Sequence, residues 1–168
     1  MVKMRYCVEC GTKLEEKYLM GEGMVPYCDC CGVFRFPIYS TAVSMIVMNK
    51  DLDRVLLIRQ YGREGHILVA GYVNRGEDAE DAVVREVQEE MGLKVLEMHF
   101  NRSRYFAPSN TLMLNYTAIV EDGEPRANTE VDDWAWFTVQ EAREHVRENS
   151  LAKAFLCGFF DGEYNFPA

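Results

Sequence analysis

The sequence predicts a mixed α/β layer fold standing behind a small cysteine-built unit. Three observations lead there. Five of the six cysteines (Cys7, Cys10, Cys28, Cys30 and Cys31) crowd into the first 31 residues. Beyond them, short strand-like apolar runs alternate with helical segments. Finally, 48% apolar against 27% charged residues over 168 positions gives enough hydrophobic content for one ordinary domain plus an appendage.

Taken in order, Phe36-Pro37-Ile38-Tyr39 reads as a joint, dividing a small unit at 1–36 from a main domain at 37–168. Ala42–Asn49 and Arg54–Gln60 are strand-like runs, and Lys50–Asp53 between them is a hairpin signal. Ile67–Ala70 is a further short run ending at Gly71. Residues 79–91 predict a helix, with Asp78 at its N-cap and Gly92 just past its end. Strands follow at about Val95–Phe100, Leu112–Val120 and Trp134–Phe137, with Glu121–Pro125 as a turn. Thr138-Val-Gln-Glu141 is a capping box opening a second helix, and 151–160 predicts a third.

The charge balance limits what the chain can bind. With 18 basic and 27 acidic residues the net charge is −9, which disfavours long nucleic acid held on a general basic surface. The longest apolar stretch, Ala42–Met48, is far too short to span a membrane. Met1–Cys7 lacks the apolar core of a signal peptide. The expectation is a cytoplasmic protein with no membrane partner.

Cys7-Val-Glu-Cys10-Gly11 and Cys28-Asp-Cys-Cys31-Gly32 are two C-x-x-C-G units, with 17 residues between Cys10 and Cys28. That spacing suits a closed, structural Zn²⁺ site, and a reducing compartment disfavours the competing disulfides. Cys30 could replace Cys28 or Cys31, but the symmetry of the units favours Cys7, Cys10, Cys28 and Cys31 as ligands and leaves Cys30 a spare thiol. Four thiolates leave no open position for catalysis. A segment this short builds little core, and the metal substitutes for one. Cys157, in an apolar run, reads as a small buried hydrophobe.

The helix at 79–91 carries the chemistry. Glu86, Glu89 and Glu90 stand at i, i+3 and i+4 and so share a face, with Val83, Val87 and Met91 forming the neighbouring core stripe. Carboxylates converging beside a core repel one another unless cations lie between them, and such hard oxygen ligands suit Mg²⁺ or Mn²⁺. On these three glutamates alone, a solvated acidic helix remains the alternative.

The wider spacing adds to this. Gly71, Glu77, Arg85-Glu86-Val87, Glu89-Glu90 and Gly92-Leu93 match the Nudix box at every fixed position over 23 residues. The chain thus resembles the Nudix hydrolase family, which implies an α/β/α sandwich with a mixed sheet over about residues 39–160. The resemblance implies that Gly71 offers its backbone carbonyl to a divalent cation and that Glu86, Glu89 and Glu90 coordinate it. Arg85 and Glu77 would form an orienting ion pair, and Glu89 is the candidate base. Glu130 is the candidate for the family's downstream glutamate, with Asp132 and Asp133 as near competitors. Such proteins hydrolyse a nucleoside diphosphate linked to another moiety.

The two C-x-x-C-G units ahead of a box opening Ala70-Gly71-Tyr72 narrow the resemblance to NAD(H) diphosphatases, and the chain looks like a shortened relative of them. Tyr72 becomes a candidate ring platform, and Arg104 and Phe106 candidate phosphate and base contacts. The branch's proline-rich signature is replaced here by Ser103–Thr111, so NAD(H), ADP-ribose and other dinucleotides or nucleotide sugars all stay open. Two further readings are a nucleotide-binding adaptor that docks a partner through its zinc ribbon and an enzyme removing NAD-type caps from RNA. Homodimers are common in the family, and the Trp134/Trp136 strand or the C-terminal helix could supply an interface.

Overall fold

The computed structural model describes residues 4–164, which part into two units between Tyr39 and Ser40. The first holds three antiparallel strands, β1 (Glu15–Leu19), β2 (Gly23–Cys28) and β3 (Val33–Phe34), in the order β1-β2-β3. Its buried side chains are few. Cys7, Val25 and Cys28 are the buried apolar residues among those described there, and two of the three are cysteines.

The second unit is a six-stranded mixed sheet. Its strands are β4 (Ser40–Met48), β5 (Arg54–Gln60), β6 (Val69–Tyr72), β7 (Val95–Phe106), β8 (Thr111–Val120) and β9 (Val131–Thr138). The path runs β7-β8-β4-β5-β9, with β4 and β8 parallel and β6 paired to β4. Period-two alternation sends Val43, Met45 and Val47 of β4, with Leu56 and Ile58 of β5, to one face. There they pack on Ala82, Val83, Val87 and Met91 of helix α1 (Ala79–Met91). Ile46, Met48, Val55 and Leu57 point to the other face. They meet Ala142 of α2 (Val139–His145) and Phe155 and Leu156 of α3 (Leu151–Phe160). Helices cover both faces, which makes an α/β/α sandwich. Among the described residues, no helix is long and apolar enough to cross a membrane.

The helix ends follow the sequence. Gly92 closes α1 at φ 66°, giving its N–H to the Gln88 carbonyl, a left-handed position that glycine occupies without strain. Thr138 and Glu141 form both halves of the capping box on α2. Asp78 stands at the N-cap of α1, but its side chain makes no capping bond.

Three expectations need correction. β7 does not stop at Phe100 but runs to Phe106, because its pairing with β8 continues to Phe106↔Thr111 around a short 3₁₀ turn at Ala107–Ser109. The segment that replaces the proline-rich signature is therefore largely strand. β9 begins at Val131, three residues ahead of the tryptophan run, because Asp133 and Val131 find ladder partners in Arg59 and Gln60. Cys157 is half-buried, not buried.

Candidate active site

The edge of β4 is divided. Residues 42–45 pair with β6, whereas Val47 and Met48 pair with β5. A pocket of about 400 Å³ opens among the end of β5, β6, α1 and the β7–β8 turn. Gln60, Tyr61, Gly71, Tyr72, Glu86, Glu90 and Glu130 line it, together with Ser109, Thr111 and Met113.

Helix α1 is threaded past β6 so closely that side-chain size matters. A Cβ built on Gly71 would lie 1.9–2.3 Å from the Glu86 carboxyl atoms, so only glycine leaves that carboxylate its place. Arg85 ties strand, loop and helix together. Its Nε and Nη2 donate to the two Glu77 oxygens at 2.6 and 2.9 Å, and Nη2 also donates to the Tyr72 carbonyl at 3.0 Å. Its Nη1 donates to Glu86 Oε1 at 2.7 Å and Glu89 Oε2 at 3.1 Å. The guanidinium, with the Asn74 amide, holds the Glu77 carboxyl down to about 2.

Glu90 is the buried member of the acidic face at 4% exposure. Gln60 Nε2 donates to its Oε1 at 2.8 Å, while Oε2 is buried with no hydrogen-bond partner among the described residues. Burial first, then the charges of Glu86, Glu130 and Glu89, push the Glu90 carboxyl up to about 7 against the bond from Gln60. An orphaned carboxylate oxygen among three further carboxylates is what an oxygen-ligated cation would relieve. These oxygen donors suit such an ion chemically, although among the described residues the group whose ligand atoms already lie within 4.8 Å of one another is the cysteine one.

Glu130 reaches the pocket because the chain before β9 is laced to the end of α1. Arg126 N–H donates to the Met91 carbonyl and Asn128 N–H to the Glu90 carbonyl. Its two competitors are occupied elsewhere: Asp132 accepts from the Gly62 amide at 2.7 Å and Asp133 pairs with Arg59 at 2.6 Å. Tyr72 lines the pocket and is 59% exposed. Arg104 and Phe106 do not line it, although Ser109 and Thr111 from the same segment do. Glu89 also stands off the lining, exposed at the helix surface beside Arg85.

Gln60 and Tyr61 were not expected at the site. A signal for Gln60 was present, since period two from Leu56 and Ile58 points it to the same face as the helix. Tyr61 has no such signal: its backbone turns to φ 57°, out of the strand.

In the first unit the Sγ atoms of Cys7, Cys10, Cys28 and Cys31 lie within 4.8 Å of one another. Cys7–Cys31 at 3.9 Å and Cys10–Cys28 at 3.5 Å bracket the edge of about 3.8 Å that Zn–S bonds of about 2.3 Å give a tetrahedron. The four thiols fit a zinc ion. Cys30 is exposed and outside the group.

Comparison with known proteins follows the same lines. The model of the NUDIX domain matches residues 38–157. The NAD-capped RNA hydrolase NudC of Pseudomonas aeruginosa is 32% identical over 156 residues, covering 90% of this chain and 54% of the relative. That of Vibrio parahaemolyticus is 26% identical over 155 residues, covering 91% and 58%. The chain thus spans about half the length of the curated relatives it matches. Among solved structures, a NUDIX hydrolase from Nitrosomonas europaea superposes with a TM-score of 0.68 at 18% identity, covering 98% of this chain and 97% of that one. The NUDIX domain of Shewanella oneidensis NrtR, crystallised with ADP ribose, gives 0.61 at 16% identity, covering 82% and 92%. At these identities the likeness is one of fold.

Proposed function

The chain belongs to the NUDIX family, and from that membership we propose that it is a Mg²⁺- or Mn²⁺-dependent hydrolase that cleaves the diphosphate of a nucleoside diphosphate derivative. The preferred substrate is a dinucleotide such as NAD(H), with a nucleotide sugar such as ADP-ribose next. One observation carries the proposal: Glu86, Glu90 and Glu130 come from two separate parts of the chain to one pocket, and a Glu90 oxygen is left buried there without a partner.

In this reading Glu86, Glu89, Glu90, Glu130 and the Gly71 backbone carbonyl hold the cation. The bound ion supplies neutralisation of the diphosphate charge and acidification of water. Arg85 keeps Glu77, Glu86 and the Tyr72 carbonyl in register, so that the carboxylates are already oriented when substrate arrives. Glu89, exposed and reached by the Arg85 guanidinium, serves as the base that accepts a proton from the attacking water. Tyr72 offers a ring face to a base or nicotinamide. Arg104 and Phe106 act at the outer edge of the substrate. Zinc on Cys7, Cys10, Cys28 and Cys31 stabilises residues 1–36 as a ribbon ahead of the catalytic domain at 37–168. Cytoplasmic residence, which keeps such thiols reduced, and a homodimer complete the proposal.

A second reading is favoured by the relatives named NAD-capped RNA hydrolase: in it the dinucleotide is presented at an RNA 5′ end. A net charge of −9 argues for contacts limited to the cap.

The test is a panel of NADH, ADP-ribose and a short NAD-capped oligonucleotide with Mg²⁺ or Mn²⁺, the products being read by mass spectrometry. Mononucleotides are expected from NADH. Glu89→Gln and Glu90→Gln should each lower turnover at least about 100-fold with the fold intact. A panel without hydrolysis points to the adaptor reading, and full activity in both variants removes the site assignment.

A further inference from the structure

The chain leaving β5 meets three acidic residues in succession. Gln60, a buried polar side chain, donates from Nε2 to Glu90 Oε1 at 2.8 Å. Tyr61 donates from its hydroxyl to Glu130 Oε2 at 3.2 Å. The Gly62 amide donates to Asp132 Oδ2 at 2.7 Å. One short corner therefore touches the end of α1 and the segment entering β9.

The backbone at this corner is strained in a telling place. Tyr61 sits at φ 57°, in the left-handed region that a bulky residue avoids and that Gly62, at φ 63°, adopts freely. The register between β5 and β9 also shifts between Arg59 and Gln60. Packing does not account for a tyrosine here, because the residue is 66% exposed. What it contributes is the hydroxyl on Glu130 and a place on the pocket wall. Strain of this kind persists where the surroundings hold it for a purpose.

We propose that Gln60 and Tyr61 are positioning residues, which orient the Glu90 and Glu130 carboxylates towards one another for a shared divalent cation. Each donor occupies one oxygen of its carboxylate. For Glu90 the other oxygen is the buried one with no partner. Because the two donors are consecutive, a single peptide corner links the helix carboxylate to the downstream carboxylate. The inference rests on the diphosphatase reading and extends it to the groups behind the ligands.

The experiment measures Mn²⁺ affinity of the full chain without substrate, by the resonance signal of free Mn²⁺, alongside Tm and dinucleotide hydrolysis. Tyr61→Phe keeps the ring and removes the donor, and it should weaken Mn²⁺ binding about tenfold at unchanged Tm. Added to Glu130→Gln it should cost nothing further, since the two changes break one interaction. Tyr61→Gly relieves the backbone and should hold or raise Tm while weakening Mn²⁺ binding, opposite signs that a merely structural residue would not give. Gln60→Met should weaken binding likewise, and if it fails to fold the tyrosine variants decide. Unchanged affinity in Tyr61→Phe, or full additivity with Glu130→Gln, overturns the inference while wild-type hydrolysis leaves the diphosphatase reading standing. A wild-type chain that neither binds Mn²⁺ nor hydrolyses the panel overturns both.

Discussion

Arg85 shows how much one side chain can fix. It bridges Glu77, Glu86, Glu89 and the Tyr72 carbonyl, so β6, the loop after it and α1 share one ion-pair network. The Glu77 carboxyl is held at about 2, chiefly by Arg85, against 4.5 when unperturbed. A carboxyl with a depressed pKa stabilises the fold above its unfolded value, and that contribution fades as pH falls through the folded one. Glu77→Gln should therefore be less stable than wild type at neutral pH, with the gap closing as pH falls from about 4.5 to about 2. Chemical denaturation across that range measures it, and a gap independent of pH would show that the ion pair is not its source. At this scale the sequence was most legible where spacing alone decides position: Glu86 and Glu90, one turn apart on α1, both line the pocket, whereas Glu89 does not. It was least legible at Tyr61, whose role depends on a backbone turn and on Glu130 sixty-nine residues away.

The elements were legible where hydrophobic period and caps agree, as in β4, β5 and α1. They were misjudged where pairing outruns hydrophobicity. β7 continues through Asn101-Arg-Ser-Arg104 because β8 supplies ladder partners for it, which no local pattern in that polar stretch announces. Polar side chains on β7 and β8 then satisfy one another: Asn101 Nδ2 donates to Asn115 Oδ1 at 2.8 Å and to Thr117 Oγ1 at 2.9 Å. α3 is secured through Phe155, which is fully buried in the cluster with Ile46, Leu57 and Ala142. Phe155→Ala should cost about 3–5 kcal/mol of stability from lost burial and the cavity left behind. Phe155 itself does not line the pocket, which this cluster meets through Met113 at its margin, so Mn²⁺ affinity of the folded fraction should be unchanged. Urea unfolding with and without Mn²⁺ checks both, and a loss of metal affinity would mean that the two faces of the sheet are coupled.

The whole chain joins two units that are held together by different physics. Both hydrophobic clusters belong to residues 40–164, where sheet and helices bury apolar side chains on two faces. Residues 4–39 bury Cys7, Val25 and Cys28 as their apolar interior, which is too little to offset the entropy of ordering a three-stranded ribbon. On the zinc reading the metal supplies the difference, and its removal should act on one unit alone. A zinc-selective chelator should abolish amide-exchange protection in β1, β2 and β3 while leaving the protection of β4, β8 and α1 in place. Arg35 should be released at the same time, because its Nη2 donates to Cys7 Sγ at 3.1 Å and to Glu9 at 2.6 Å. Protection persisting in β1–β3 after the metal is gone would mean that the ribbon carries its own stability. Protection lost throughout would mean that the sandwich depends on the ribbon, which its separate cores argue against.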